Sequence, residues 1–223
     1  NASGGGTLDY NNGAAPGKSP SLTIYGQYRT LVLEDENAQF VFGTVSQSSV
    51  YAISVERARY KQSLFPGTLD LQISGSVNGN ANQTLFLTDN SKMVTVPTYY
   101  GTTRAYQIIS GSDGIAYNSA SGGLGYTDTQ GSYGLFLPDI GTILLNGAAL
   151  DLNSDQGVNL ATNTSANSPG GNPIKLFNSI KLGNNFGLNS EETITSDFVF
   201  VRARNSEFNY SENPSYISGS TGE

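Results

Sequence analysis

The sequence predicts a mainly β fold: antiparallel sandwich or barrel-like sheets with one N-terminal helix, long loops and an extended N-terminal arm. The apolar residues lean toward Val, Ile, Tyr and Phe, which are enriched in strands. Small polar residues and 27 glycines cut these apolar runs into short pieces. Short strands joined by turns suit a sandwich or barrel better than a helical bundle. A length of 223 residues fits one large β domain or two small ones.

The chain begins with a segment that carries no apolar pattern. Residues 1–19 are rich in Gly, Asn and Ala, so we expect an extended arm or linker there and a β-rich structural domain over residues 20–223. Ser19 and Pro20 are typical of a helix start. Apolar residues then recur at spacings of three and four, which predicts a helix over residues 20–32. These residues are Leu22, Tyr25, Tyr28, Leu31 and Val32.

Period-two alternation is clearest at Leu69, Leu71 and Ile73, where polar residues intervene. Asn78-Gly79 and Asp113-Gly114 are dipeptides that favour tight hairpin turns. Further strands are predicted at residues 40–42, 50–55, 84–87, 93–96 and 104–109, with a hairpin over residues 133–145 and a buried strand at residues 198–201.

Two long connections interrupt this pattern. Residues 110–131 are rich in Gly and Ser, and residues 151–173 are polar, so we expect an open connection and an exposed loop. Residues 174–182 have the spacing of a short amphipathic helix. Two long loops are unusual in one isolated domain, and they are natural if neighbouring subunits order them.

Composition excludes several function classes. The net charge is −7 with only 11 Lys and Arg residues, which argues against a nucleic-acid partner. The chain has no His and no Cys, so the commonest general base and the commonest transition-metal ligands are missing. No apolar run reaches the roughly 18 residues of a membrane helix. We therefore expect no enzyme activity, no cofactor, no metal site and no membrane partner.

Four short segments resemble three kinds of chemical motif and fail on detail. Residues 13–19 resemble a phosphate-binding loop, but only three residues separate the glycines and Pro16 has no amide hydrogen to donate. Residues 151–157 resemble a calcium loop, but its twelfth residue would be Thr162, where a bidentate Glu is required. The pair Glu191-Glu192 and the cluster at residues 34–36 are sequence neighbours, whereas glycosidase carboxylates act across a cleft.

The nearest basic cluster is Arg57, Arg59 and Lys61, and it is our candidate subunit contact. If the strand beginning at Val50 continued, alternation would put all three side chains on one face. Three like charges need acidic groups opposite, from Asp70 on the next strand or from a neighbouring subunit. A solvated strand face is the simpler alternative.

Four segments together resemble a virion structural protein of cyanophage-type and other contractile-tailed bacteriophages. They are residues 24–33, 50–71, 133–146 and 200–214. The most specific parts are Arg59-Tyr60-Lys61 leading to Pro66-Gly67, and the stretch from Phe208-Asn209-Tyr210-Ser211 to Asn213-Pro214.

The resemblance implies a particle component located in the virion, in the tail or baseplate, with other virion proteins as partners and several copies in a symmetric assembly. It implies no catalysis and no cofactor, and a chain that continues past Pro214 and Glu223. A neck or capsid-surface protein, a receptor- or carbohydrate-binding fibre domain, and a secreted or surface adhesin remain alternatives.

Overall fold

The computed structural model describes residues 2–3, 20–35, 37–78, 80–117, 123–160 and 171–202. The chain up to Glu192 is one compact unit, and residues from Thr193 onward belong to a second unit that is described by itself. Strands outweigh helices, at 37% against 21%, so the predicted mainly β fold is confirmed. Most of the predicted arm, residues 4–19, lies outside the described residues.

The described residues form fourteen strands. They are β1 (Ala2–Ser3), β2 (Phe40–Phe42), β3 (Val45–Gln47), β4 (Ser49–Ser54), β5 (Ser63–Leu64), β6 (Asp70–Val77), β7 (Asn80–Asp89), β8 (Thr98–Tyr100), β9 (Thr103–Ser112), β10 (Ile115–Ala116), β11 (Gly134–Leu137), β12 (Thr142–Asn146), β13 (Phe186–Gly187) and β14 (Ser190–Glu191).

The main sheet is antiparallel and has ten strands. Its neighbours run in the order β1, β4, β12, β11, β9, β7, β6 and β13, while β8 and β10 also pair with β9. The sheet curls into a half-barrel. Two small ribbons accompany it, β2 with β3 and β5 with β14. Of the two predicted architectures, sandwich and barrel-like, the half-barrel matches the barrel-like one.

Both faces of the sheet are covered by apolar side chains. Leu135 and Leu144 belong to one buried cluster, while Phe136, Ile143 and Leu145 belong to another. Because successive side chains of a strand point to opposite faces, the two clusters lie on opposite sides of β11 and β12. The central residues Leu135–Leu137 and Ile143–Leu145 are therefore apolar on both faces of the sheet.

Three helices pack on this framework. Helix α1 (Pro20–Leu33) buries Tyr25, whose ring meets Phe40 edge-on at 5.8 Å between centroids. Helix α2 (Gly147–Leu150) is capped by Asn146, whose side chain accepts from the amides of Ala148 and Ala149. Helix α3 (Gly171–Gly183) lies so close to β6 that a Cβ on Gly183 would come within 2.1 Å of the Gln72 carbonyl oxygen.

Most local predictions are confirmed. The helices predicted at residues 20–32 and 174–182 are α1 and α3. The strand predicted at residues 40–42 is β2 with the same ends; those predicted at 50–55, 84–87 and 104–109, the alternating run ending at Ile73 and the hairpin over 133–145 appear with shifted ends. Asp113 and Gly114 both have positive φ, 52° and 77°, as the tight turn between β9 and β10 requires.

The strand predicted at residues 93–96 is wrong. This stretch is a turn in which the Met93 amide donates to the Asn90 carbonyl at 2.9 Å. The strand begins later, at Thr98, because the turn at Gly101, with φ of 57°, brings β8 back onto β9. Residues 93–96 have residue types that are typical of a strand, but the residues that pair with β9 begin at Thr98.

The open connection predicted at residues 110–131 is only partly right. β9 continues to Ser112 and turns into β10, and the Ser110 amide donates to the Gly125 carbonyl at 2.8 Å. Residues 118–122 lie outside the described part. Glycine-rich composition here marks tight backbone packing on β9, since a Cβ on Gly125 would sit 2.9 Å from the Ile109 Cβ.

The exposed loop predicted at residues 151–173 is also corrected. Val158 and Leu160 are buried in the core, and both of their amides donate to the Leu150 carbonyl at 3.2 Å. These two apolar residues anchor an otherwise polar stretch. Residues 161–170 are outside the described ranges, and α3 starts at Gly171.

The buried strand predicted at residues 198–201 is wrong for the described chain. These residues have no strand assignment, and their side chains are between 81% and 98% exposed. An apolar run becomes a buried strand only when another strand and a core are available to it. None of the described strands pairs with this segment.

Candidate assembly surface

The basic segment does not continue strand β4. β4 ends at Ser54, and Arg57–Arg59 form a 3-10 turn. The prediction that Arg57, Arg59 and Lys61 share one strand face is therefore wrong, because a 3-10 turn does not alternate side chains between two faces.

Each of the three basic side chains has a partner within the chain. The Arg57 guanidinium lies 4.7 Å from the Tyr60 ring centroid and donates to the carbonyls of Tyr60 and Lys61. Arg59 pairs with Glu56 at 3.2 Å. Lys61 pairs with Glu192 at 2.7 Å, and this hydrogen bond raises the pKa of Lys61.

Asp70, one of the two acidic sources considered for the basic segment, is not the acid that pairs with it: Glu56 and Glu192 are. Its carboxylate accepts from the Asn185 side-chain amide at 2.5 Å. Arg57, Arg59 and Lys61 still lie at the surface, since residues 57, 59 and 61 are all exposed. They remain a candidate subunit contact, in which Arg59 and Lys61 are already paired with acids of the same chain.

Beside this segment lies an ionic cluster that sequence reasoning missed, made of Arg104, Asp139, Glu191 and Ser63. Arg104 donates to Asp139 through Nε at 3.0 Å and through a terminal nitrogen at 2.7 Å. The same terminal nitrogen donates to Glu191 at 2.8 Å and to the Ser63 hydroxyl oxygen at 3.1 Å. The Ser63 hydroxyl in turn donates to Glu191 at 2.7 Å.

The Arg104 cluster joins four parts of the fold. It links β9, the 3-10 turn Pro138–Ile140, β5 and β14. The hydrogen bond to Asp139, ahead of that to Glu191, raises the pKa of Arg104. The arginine is therefore a permanent cation between two carboxylates. These hydrogen bonds hold the β5–β14 ribbon to β9, and we call the cluster the Arg104 clamp.

The clamp fixes the chain at the point where the first compact unit ends. Glu191 is held by Arg104 and Ser63, and Glu192 is held by Lys61. The two carboxylates therefore neutralise cations rather than face each other across a cleft, as a glycosidase pair would. Residues 193–202 follow directly.

Residues 193–202 carry the most exposed apolar side chains of the described chain. Phe200 is 98% exposed, and Phe198, Val199 and Val201 are each above 80%. The run is bounded by Asp197 and Arg202. A smaller apolar surface lies on α3, at Ile174, Phe177 and Leu182.

Chemical sites were sought among the same residues. Within the described ranges, no three His, Cys, Asp or Glu side chains are grouped as metal ligands would be. The described helices include none that is both long and apolar enough to span a membrane. The phosphate-loop-like residues 13–19 lie outside the described chain.

Comparison with protein families, with curated proteins and with solved structures found no match to this chain. The surfaces just described are therefore the guide to function. They are the β5–β14 ribbon held by the Arg104 cluster, the exposed basic turn and the exposed apolar segment at residues 198–201.

Proposed function

We propose that the chain is a structural component of a bacteriophage particle, most simply of its tail or baseplate, and that it acts through subunit contacts. The observation that carries the proposal is the exposed run at residues 198–201, which follows a clamped ribbon. Large exposed apolar groups on a soluble protein mark a surface that another molecule covers. Its partners would be other virion proteins, present in several copies.

Two further features support an assembly role. Charged residues make up only 13% of the chain, against roughly 25% in typical soluble domains, which suits a surface largely covered by neighbours. The described residues also present the basic turn at Arg57, Arg59 and Lys61, in which Arg59 and Lys61 are paired with carboxylates of the same chain. Such charges are less costly to bury at an interface than unpaired ones.

The test is to locate the chain in particles. A short epitope tag at residue 1, imaged by gold labelling, is expected to decorate the tail or baseplate in a repeating pattern. Label on the neck or capsid surface would instead support the alternative of a neck or capsid-surface protein. Purified particles that lack the chain would contradict the proposal.

A receptor- or carbohydrate-binding fibre domain is the second candidate. Exposed tyrosines favour it: Tyr99 is 56% exposed and Tyr117 46%, and aromatic rings are common platforms for apolar ligand faces. A glycan array distinguishes the two roles. Specific binding that is lost in Tyr99→Ala would favour the fibre domain, whereas no binding to any glycan favours the assembly component.

A further inference from the structure

Two asparagines in the described part of the chain are followed directly by glycine, Asn78 and Asn146. An asparagine in this sequence can lose its side-chain amide without an enzyme, because glycine has no side chain to shield its own backbone nitrogen from the asparagine carbonyl. In a folded chain the reaction depends on how freely the asparagine side chain can turn toward that nitrogen. The two sites differ in this freedom.

Asn78 lies at the tip of the hairpin between β6 and β7. β6 ends at Val77 and β7 begins at Asn80, and these two residues pair. Asn78 has a positive φ of 49°, which is typical of a tight hairpin turn. Its backbone amide donates to Oδ1 of Asn153 at 2.7 Å. Its side chain is exposed and has no hydrogen-bond partner among the described residues.

Asn146 has the same sequence in the opposite environment. It is fully buried, and its carboxamide is held at both ends. Nδ2 donates to the carbonyls of Gln130 at 2.8 Å and Ser132 at 2.9 Å. Oδ1 accepts from the amides of Ala148 at 3.1 Å and Ala149 at 3.3 Å. The side chain can therefore turn toward the next backbone nitrogen only if these hydrogen bonds break.

We propose that Asn78 is a site of spontaneous deamidation, and that the fold protects Asn146 from the same reaction. In the first step the backbone nitrogen of Gly79 forms a bond to the side-chain carbonyl carbon of Asn78. The bond between that carbon and Nδ2 breaks, and Nδ2 leaves as ammonia together with the hydrogen that the Gly79 nitrogen gives up. Water then opens the cyclic imide at either carbonyl.

The two ways of opening the imide give different products. Opening at the side-chain carbonyl leaves aspartate, whereas opening at the backbone carbonyl leaves isoaspartate, in which the backbone runs through the former side chain. Either product adds a negative charge to the hairpin tip. Isoaspartate also lengthens the backbone between Val77 and Asn80, and because the length of a hairpin loop fixes the register of its strands, the pairing of these residues must shift.

The test compares the two asparagines within one sample of the full chain. The purified chain is incubated at mildly alkaline pH, which favours loss of the hydrogen from the attacking nitrogen, and is then digested for mass analysis of its peptides. The peptide that contains Asn78 is expected to gain the mass difference between an amide NH2 group and a hydroxyl group. The peptide that contains Asn146 should react at least about tenfold more slowly, because local unfolding must first release its side chain.

A parallel incubation in a denaturing concentration of urea is the matched control. Without the fold both asparagines lie in an open chain ahead of a glycine, so their rates should become similar. The variant Asn78→Gly removes the reactive amide and keeps a residue that tolerates positive φ. On ion exchange, this variant should form less of the acidic species that accumulates in the unmodified chain.

Equal rates at the two sites in the folded chain would overturn the proposal, and so would an Asn78 that keeps its amide in the folded chain and loses it in urea. An Asn146 that stays slow in urea would show that its neighbours in sequence protect it, and would overturn the claim that the fold does so. These outcomes are independent of the proposed particle role, because they are measured on the isolated chain.

Discussion

Two short apolar runs of the chain behave in opposite ways. In β11, Leu135, Phe136 and Leu137 are at most 1% exposed. In residues 198–201 every side chain is at least 81% exposed. The two runs have similar residue types, so composition does not explain the difference.

Strand pairing explains the difference in exposure between the two runs. β11 lies between β9 and β12 and is hydrogen-bonded to both, with an apolar cluster on each face. Residues 198–201 have neither flanking strand nor core within the described chain. A continuous apolar run therefore indicates a strand that must be covered on both faces, without indicating which chain supplies the cover.

The largest predicted effect is on the buried run. Phe136→Ala should lower the free energy of unfolding by about 3–5 kcal/mol, because it opens a cavity in a closely packed core. Phe200→Ala is the matched variant and should leave the unfolding free energy of the monomer unchanged. Denaturant unfolding at low protein concentration measures both. Equal losses would show that the two runs are buried alike.

A smaller effect is expected at the clamp between the two regions. Arg104→Ala should cost about 1–3 kcal/mol, because it leaves the partly buried Asp139 and Glu191 carboxylates without their cation. Hydrogen exchange should accelerate at residues 190–192. Arg104→Lys, which keeps the charge but not the paired hydrogen bonds, should fall between. Unchanged exchange at residues 190–192 in Arg104→Ala would argue against a clamp.

The smallest effect on the monomer is expected at the exposed basic turn. Arg59→Glu should leave the melting temperature nearly unchanged, because exposed single ion pairs contribute little to folding. If the turn is a subunit contact, Arg59→Glu should reduce incorporation into particles through a like-charge clash, and Arg59→Ala should reduce it less. Normal incorporation of Arg59→Glu would remove this turn from the interface.

Local patterns predicted local structure well. The spacing of apolar residues located α1 and α3, and alternation located β6. Both periodicities can be recognised from residues that are close together in the sequence. The tight turn at Asp113-Gly114 followed from its residue types. Of the apolar residues Ile174, Phe177, Ile180 and Leu182 that indicated α3, only Ile180 packs against the core, and Leu176 is buried instead of the other three.

Contacts between segments that are distant in sequence could not be predicted. Arg104 meets residues 35 and 87 positions away, and Lys61 meets a carboxylate 131 positions away. No local spacing encodes such pairs, because they depend on which strands become neighbours. The same limit explains the error at residues 198–201, where residue types favour a strand and only tertiary pairing decides whether one forms.

Amide hydrogen exchange of the chain, dilute and assembled, tests the central claim most directly. We expect residues 134–137 to be protected in both states. Residues 198–201 should exchange rapidly in the dilute chain and become protected on assembly. Protection of residues 198–201 in the dilute monomer, or rapid exchange there after assembly, would contradict the claim that a partner covers this segment.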